Sequence, residues 1–243
     1  LEDIGHDTLR KRSNSEFISE KFDIHKSKAD IVQQTNVDGS VDKVHLTYMD
    51  IRFSNICNMR CRTCGPDLSS QWFHDATESK FNRTPTNPSP ILQIRKGNTA
   101  FMEQFDPYLD TVEKIYWAGG EPVLMDEHWG IMNRLVEMGK TDIRIFYNTN
   151  FTTLEYKGQS VLDLWKNFDN ISVGASLDAE GIRGEYQRKG TVWSDVVDNI
   201  EQLRSKSPEV DFYISATVSA YNAWHITDFH RNWVEKGYIK PGD

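Results

Sequence analysis

The sequence predicts an α/β fold: a partial (β/α) TIM-like barrel of about five to six parallel strands with helices outside. Three observations predict it. Five apolar runs of strand length alternate with segments whose apolar residues recur at helical spacing. The connections between runs are long enough for the crossovers that parallel strands require. Polar or glycine-rich punctuation follows each run: Cys57 to Cys64, Gly119 to Pro122, Asn148 to Asn150, Ser176 to Asp178, and Ser219 to Asn222. In barrels, chemistry collects at the C-terminal ends of the strands, where this punctuation falls. Periodicity by itself does not separate such a barrel from a doubly wound sheet.

Each element has its own justification. Residues 1–43 are polar and charged, with Phe17, Ile18, Phe22 and Ile24 as scattered apolar anchors and a turn signal at Asp38-Gly39, so they read as a lead-in segment. The core domain is expected over 44–243. Val44 to Phe53 alternates and is rich in β-branched and aromatic residues, which predicts the first strand. A helix is expected over 68–78, and the proline-bearing stretch 81–97 reads as an insertion. The second strand is Val112 to Ala118. Asp126 is expected to cap a helix with the apolar stripe Trp129, Met132, Leu135 and Val136, ended by Gly139. The third strand is Ile143 to Tyr147, followed by a short helix over 161–165. The fourth strand is Ile171 to Leu177, followed by a helix carrying Val192, Val196, Ile200 and Leu203. The fifth strand is Phe212 to Val218, followed by a helix carrying Ile226, Phe229 and Trp233.

Composition narrows the function. The 243 residues carry a net charge of −8, which argues against broad binding of a nucleic-acid backbone. No apolar run approaches a membrane span and no signal peptide opens the chain. Three closely spaced cysteines cannot make a disulfide framework, and the expected compartment is the reducing cytoplasm. The chain begins with Leu1 and stops near Tyr238-Ile239, where a sixth strand would be expected, so it reads as a truncated piece of a longer protein.

All three cysteines, Cys57, Cys61 and Cys64, lie on one loop after the first strand in a C-x3-C-x2-C spacing. They read as ligands of a soft metal centre. A zinc site and inert buried thiols are the alternatives; zinc commonly wants a second pair of ligands, and none is present. Gly119, Gly120, Glu121 and Pro122 form either an ordinary strand-to-helix turn or a cradle whose carbonyls and carboxylate accept from a ligand ammonium group.

Together, and in this order, these motifs resemble the radical S-adenosylmethionine (SAM) superfamily; the likeness covers about residues 44–233. The resemblance implies a 4Fe–4S cluster held by Cys57, Cys61 and Cys64, with SAM chelating the fourth iron. It implies SAM contacts from Gly119, Gly120, Glu121 and Pro122, from Asn150, from Ser176 and Asp178, from Arg188 toward the SAM carboxylate, and from Val218 near the adenine. Ser176 and Asp178 read equally as caps, Arg183 competes with Arg188, and Val218, Ser219 and Asn222 equally suit a packed strand end. The implied activity is reductive cleavage of SAM to a 5′-deoxyadenosyl radical that abstracts hydrogen from a substrate. A flavodoxin or ferredoxin would be the reductant. The run Tyr48 to Cys61 and the phrase Trp117 to Pro122 are similar to the subgroup with a cysteine-rich twitch or SPASM domain, which implies a peptide substrate. The chain departs from the pattern at Thr63, where many relatives carry an aromatic. The 81–97 insertion and the aromatics Tyr147 and Tyr221 are candidate substrate-facing groups, and packing is the favoured reading of each. The rival readings are a non-catalytic scaffold holding zinc or a degenerate cluster, and a radical enzyme acting on a sugar or nucleotide.

Overall fold

A computed structural model describes residues 32–78, 89–92 and 99–242. Contacts divide the chain into Leu1–His45 and Leu46–Asp243. In the described part of the first unit, Thr35 bridges Val41 across a turn in which Gly39 takes φ +84°. Asp38 Oδ1 accepts from Ser40 N at 3.0 Å, so this Asp-Gly pair folds the turn its chemistry favours. The rest of the lead-in lies outside the described residues, as does the 81–97 stretch apart from 89–92.

The second unit is built on β1 (Tyr48–Ile51), β2 (Arg60–Cys61), β3 (Lys114–Trp117), β4 (Arg144–Thr149), β5 (Glu155–Tyr156), β6 (Gln159–Ser160), β7 (Asn170–Ala175), β8 (Arg188–Lys189) and β9 (Asp211–Ile214). Its helices are α1 (Phe73–Glu78), α2 (Thr99–Leu109), α3 (Asp126–Glu137), α4 (Val161–Trp165), α5 (Gly181–Gln187), α6 (Trp193–Lys206) and α7 (Ile226–Glu235). The main sheet is five-stranded and parallel, in the order β1-β3-β4-β7-β9. Strand order never reverses, so the sheet lacks the switch point of a doubly wound fold and has the order of a barrel wall.

Side-chain alternation gives the wall two unlike faces. Ile51, Trp117, Tyr147, Val173 and Phe212 are neighbours in one register row, and all are buried. They meet the helices: Trp117 packs on His128 of α3 at 4.9 Å between ring centroids, Tyr147 on Trp165 of α4 at 5.2 Å, and Phe212 on Trp233 of α7 at 6.4 Å. The adjacent row, Asp50, Tyr116, Phe146, Ser172 and Asp211, points the other way and is half-buried or exposed. A doubly wound sheet would cover both faces with helices; here the described helices cover one.

The observed elements adjust several expectations. The helix expected over 68–78 opens as a 3-10 turn over Ser70–Trp72, with Ser69 as its cap accepting from Gln71 N. Helix α3 is capped at Met125, so Asp126 stands in its first turn, favourable to the helix dipole without capping it. Tyr147 is fully buried on the helix side, with its hydroxyl 2.8 Å from His128 Nε2, and so does not face the rim. Helices α2 and α5 and the hairpin β5–β6, turned at Lys157-Gly158 with both residues at positive φ, are additional elements.

Candidate functional site

The cysteine loop leaves β1 and is seated from below by the Gly119–Pro122 turn. Glu121 N donates to Ile56 O at 2.7 Å, directly before Cys57. Gly120 has φ +42°, and a Cβ there would lie 2.2 Å from the Ile56 carbonyl oxygen. Gly119, at φ +76°, would place a Cβ 2.9 Å from Arg52 Cβ. Glycine is therefore required at both positions by the close approach of two backbones. The two motifs are one interlocked structure.

The Glu121 carboxylate turns inward. Thr149 Oγ1 donates to its Oε1 at 2.8 Å, Asn150 N to its Oε2 at 2.7 Å, and Val123 N to Oε1 at 3.3 Å. Burial pushes its pKa up to about 7, although these three donors pull it back toward the usual range. Asn150 passes the constraint to the cysteines: its Nδ2 donates to Asn58 Oδ1 at 2.7 Å and lies 3.8 Å from Cys57 Sγ. The next residue, Phe151, is buried at φ +58°. A left-handed phenylalanine carries about 1–2 kcal/mol of strain, which the surrounding bonds, among them Asn199 Nδ2 to Phe151 O at 3.0 Å, hold in place.

Further anchors come from the residues after the loop. Ser69 Oγ donates to Met59 O at 2.5 Å, Trp72 Nε1 to Cys61 O at 3.0 Å, and Ser70 N to Asn55 O at 2.8 Å. Asn55 also holds the segment 89–92, accepting from Leu92 N at 2.8 Å and donating from Nδ2 to Pro90 O at 3.2 Å. A cleft of about 450 Å³ opens here, lined among others by Arg52, Ser54, Asn55, Leu92, Gly119 and Gly120.

On its far side the loop pairs as β2 with β8, Cys61 opposite Arg188. Arg188 and Asp178 are both buried, with Arg188 Nη2 at 2.9 Å from Asp178 Oδ1. Asp178 Oδ1 also accepts from Thr217 N at 2.9 Å, and Asn222 Nδ2 donates to Asp178 O at 3.0 Å.

Cys57, Met59 and Cys61 pack as a small buried cluster with Cys64 against it. The mutual interaction of Cys61 and Cys64 lowers the Cys64 thiol below its usual range and raises that of Cys61, while Arg188 pulls both down. Burial, then the Glu121 charge, pushes Cys57 up. Among the described residues, no three His, Cys, Asp or Glu side chains converge as ligands of one metal ion. The donor set of three soft thiols beside a guanidinium, on one loop, suits a polynuclear thiolate-bound centre.

The residues singled out in sequence thus divide in two. Glu121, Pro122, Asn150, Asp178 and Arg188 are buried, and the polar ones among them are engaged with protein partners. Gly119, Gly120 and Ser176 are half-buried at the strand ends, and Val218 is 67% exposed. Sequence reading did not single out Asn55, Asn58, Ser69, Trp72 or Thr149. Asn55 and Asn58 flank Cys57 and Thr149 sits between two asparagines, but only the fold shows what they hold.

No known family profile matches the chain, and no curated protein matches it. Among solved structures it is similar to the crystal structure of Streptococcus suis SuiB bound to precursor peptide SuiA, at 14% identity and a TM-score of 0.49. That alignment covers 79% of this chain and 38% of SuiB, so the chain spans well under half of that protein's length.

Proposed function

We propose that the chain is the core of a radical SAM enzyme in which Cys57, Cys61 and Cys64 hold a 4Fe–4S cluster and SAM is the cosubstrate. The observation that carries this reading is the interlock of the three-cysteine loop with the Gly119–Pro122 turn: Glu121 N on Ile56 O, and Gly120 too close to that carbonyl for any side chain. It gives physical reason for the sequence pair on which the resemblance rests. When bound, the cluster and SAM would supply one-electron chemistry ending in hydrogen abstraction from the substrate.

The chain's own residues do the remaining work. The half-buried turn at Gly119 and Gly120 offers backbone acceptors to the SAM amino group, and Ser176 and Val218 border the rest of the cosubstrate. The buried group Glu121, Thr149 and Asn150 fixes the height of the turn and the position of Cys57 without itself meeting solvent. Burial of Cys57 and Cys61 limits water at the ligands. The preferred substrate is a peptide, on the resemblance to the twitch/SPASM subgroup, with a flavodoxin or ferredoxin as reductant.

Anaerobic reconstitution with iron and sulfide tests the reading. Uptake of about four irons, the count of a 4Fe–4S cluster, and release of 5′-deoxyadenosine on reduction with SAM are expected. A protein that takes up no cluster, or a Cys61→Ala variant that still cleaves SAM, would overturn it.

A further inference from the structure

Arg188 stands across from one cysteine of the loop and on one buried carboxylate. The β2–β8 ladder pairs it directly across from Cys61, so both side chains leave the same face of a two-stranded strip. Period-two alternation sends Arg62 and Lys189 to solvent and keeps Cys61 and Arg188 buried. The guanidinium has two neighbours, a carboxylate and a thiol. Its Nη2 and Nε stand 2.9 Å from Asp178 Oδ1 and 2.9 Å from Asp178 Oδ2, and its Nη1 lies 3.7 Å from Cys61 Sγ. Asp178 is itself held by Thr217 N, so the chain of contacts runs from the exit of β9 through a buried ion pair to a single thiol.

We infer that Arg188 is a positioning and charge-setting residue for Cys61, held by Asp178. The charge-setting half rests on the proposed function. A cation beside one thiolate ligand favours the more negative, reduced state of the group that ligand holds, so Arg188 raises its reduction potential. The positioning half does not depend on any bound group: the ion pair fixes where β8 lies and hence where Cys61 lies.

Two measurements on Arg188→Gln, Arg188→Lys and Asp178→Asn test the two halves. In the reconstituted protein, a potentiometric titration followed by electron paramagnetic resonance should show Arg188→Gln harder to reduce by at least tenfold in equilibrium constant, about 59 mV for one electron. Arg188→Lys, which keeps the charge and loses the fork, should fall between it and the parent. An unchanged potential overturns the charge-setting half. In the metal-free chain, hydrogen exchange at the amides of Arg62 and Thr217 should accelerate at least fivefold in Asp178→Asn and Arg188→Gln; unchanged exchange overturns the positioning half. A parent chain that takes up no cluster sinks the proposed function, and this second measurement still decides whether the clamp exists.

Discussion

The body of the sheet and its C-terminal rim are both buried, yet they are held by different forces. The body is a row of apolar side chains, Ile51, Trp117, Tyr147, Val173 and Phe212, pressed on helix side chains, and the buried imidazole of His128 has Tyr147 as its hydrogen-bond partner. The rim is held by polar contacts distant in sequence: Thr149 and Asn150 on Glu121, Asn150 on Asn58, Trp72 on Cys61, Arg188 on Asp178. Apolar packing is tolerant of small shape changes and spreads a lesion over many contacts. A polar frame in a low dielectric is intolerant of a single missing partner. The difference teaches that the body sets whether the chain folds, and the rim sets where three thiols lie.

The sharpest way to break this comparison is to damage each region separately. Trp233→Ala removes a fully buried indole packed on Phe212, Phe229 and Trp193. Its expected cost is about 3–5 kcal/mol in urea denaturation. Gly120→Ala forces a Cβ against the Ile56 carbonyl at a positive φ, which backbone movement alone can relieve. It should cost about 3 kcal/mol. In the folded fraction at low urea, Gly120→Ala should expose Cys57 to a thiol reagent, whereas Trp233→Ala should leave thiol reactivity unchanged. Equal thiol exposure in both variants would show that body and rim are one unit.

The same division explains what was legible in sequence. Strands and helices of the body declared themselves because apolar period encodes a buried face: Trp129, Met132 and Leu135 are buried as their spacing implies, and helix α4 falls on 161–165. Helix α2 carries Met102, Phe105 and Leu109 at helical spacing, but Pro107 within it speaks against a helix. The ladder of β2 and β8 left no pattern, since two residues a side have no period and 127 positions separate Cys61 from Arg188. At the rim the residue types were legible and their roles were not. Glu121 reads as an exposed acceptor because turns are normally at the surface, and its inward direction depends on Thr149 and Asn150 arriving from the next strand. Tyr147 takes the packing role for a simple reason: one step along a strand exchanges the two faces, and its neighbours Phe146 and Asn148 are the ones on the open side.

Acid and alkali should separate the regions with opposite signs. The pKa of Glu121 is raised by burial to about 7, so the folded state holds a proton that the unfolded state has released above its ordinary 4.5. Its contribution is complete below pH 4.5 and is lost as pH rises through 7. That of His128 is lowered by burial to about 3 from 6.5, so stability is lost as pH falls below 6.5 toward 3. Glu121→Gln should therefore flatten the alkaline side of the stability profile, a change of about 2 kcal/mol between pH 5 and pH 8, and leave the acid side intact. His128→Asn should flatten the acid side only. A profile unchanged by Glu121→Gln would mean that its carboxylate is solvated in solution.

The smallest lesion gives the finest comparison, because the same chemical change can be made in both regions. Trp72 Nε1 donates to Cys61 O at 3.0 Å at the rim, and Trp129 Nε1 donates to Val123 O at 2.9 Å beneath it, packed among core side chains. Phenylalanine in place of either indole removes one hydrogen bond, with a net worth of about 1 kcal/mol. In the body, Trp129→Phe should appear as a shift of the global unfolding midpoint, since Trp129 also packs on His128 and stacks with Tyr156. At the rim, Trp72→Phe should leave that midpoint in place and instead raise the reactivity of Cys61 by roughly fivefold, the factor that 1 kcal/mol of local opening gives. Should Trp72→Phe move the global midpoint as far as Trp129→Phe does, the polar frame is part of the folding core, and the thiols are held as firmly as the sheet beneath them.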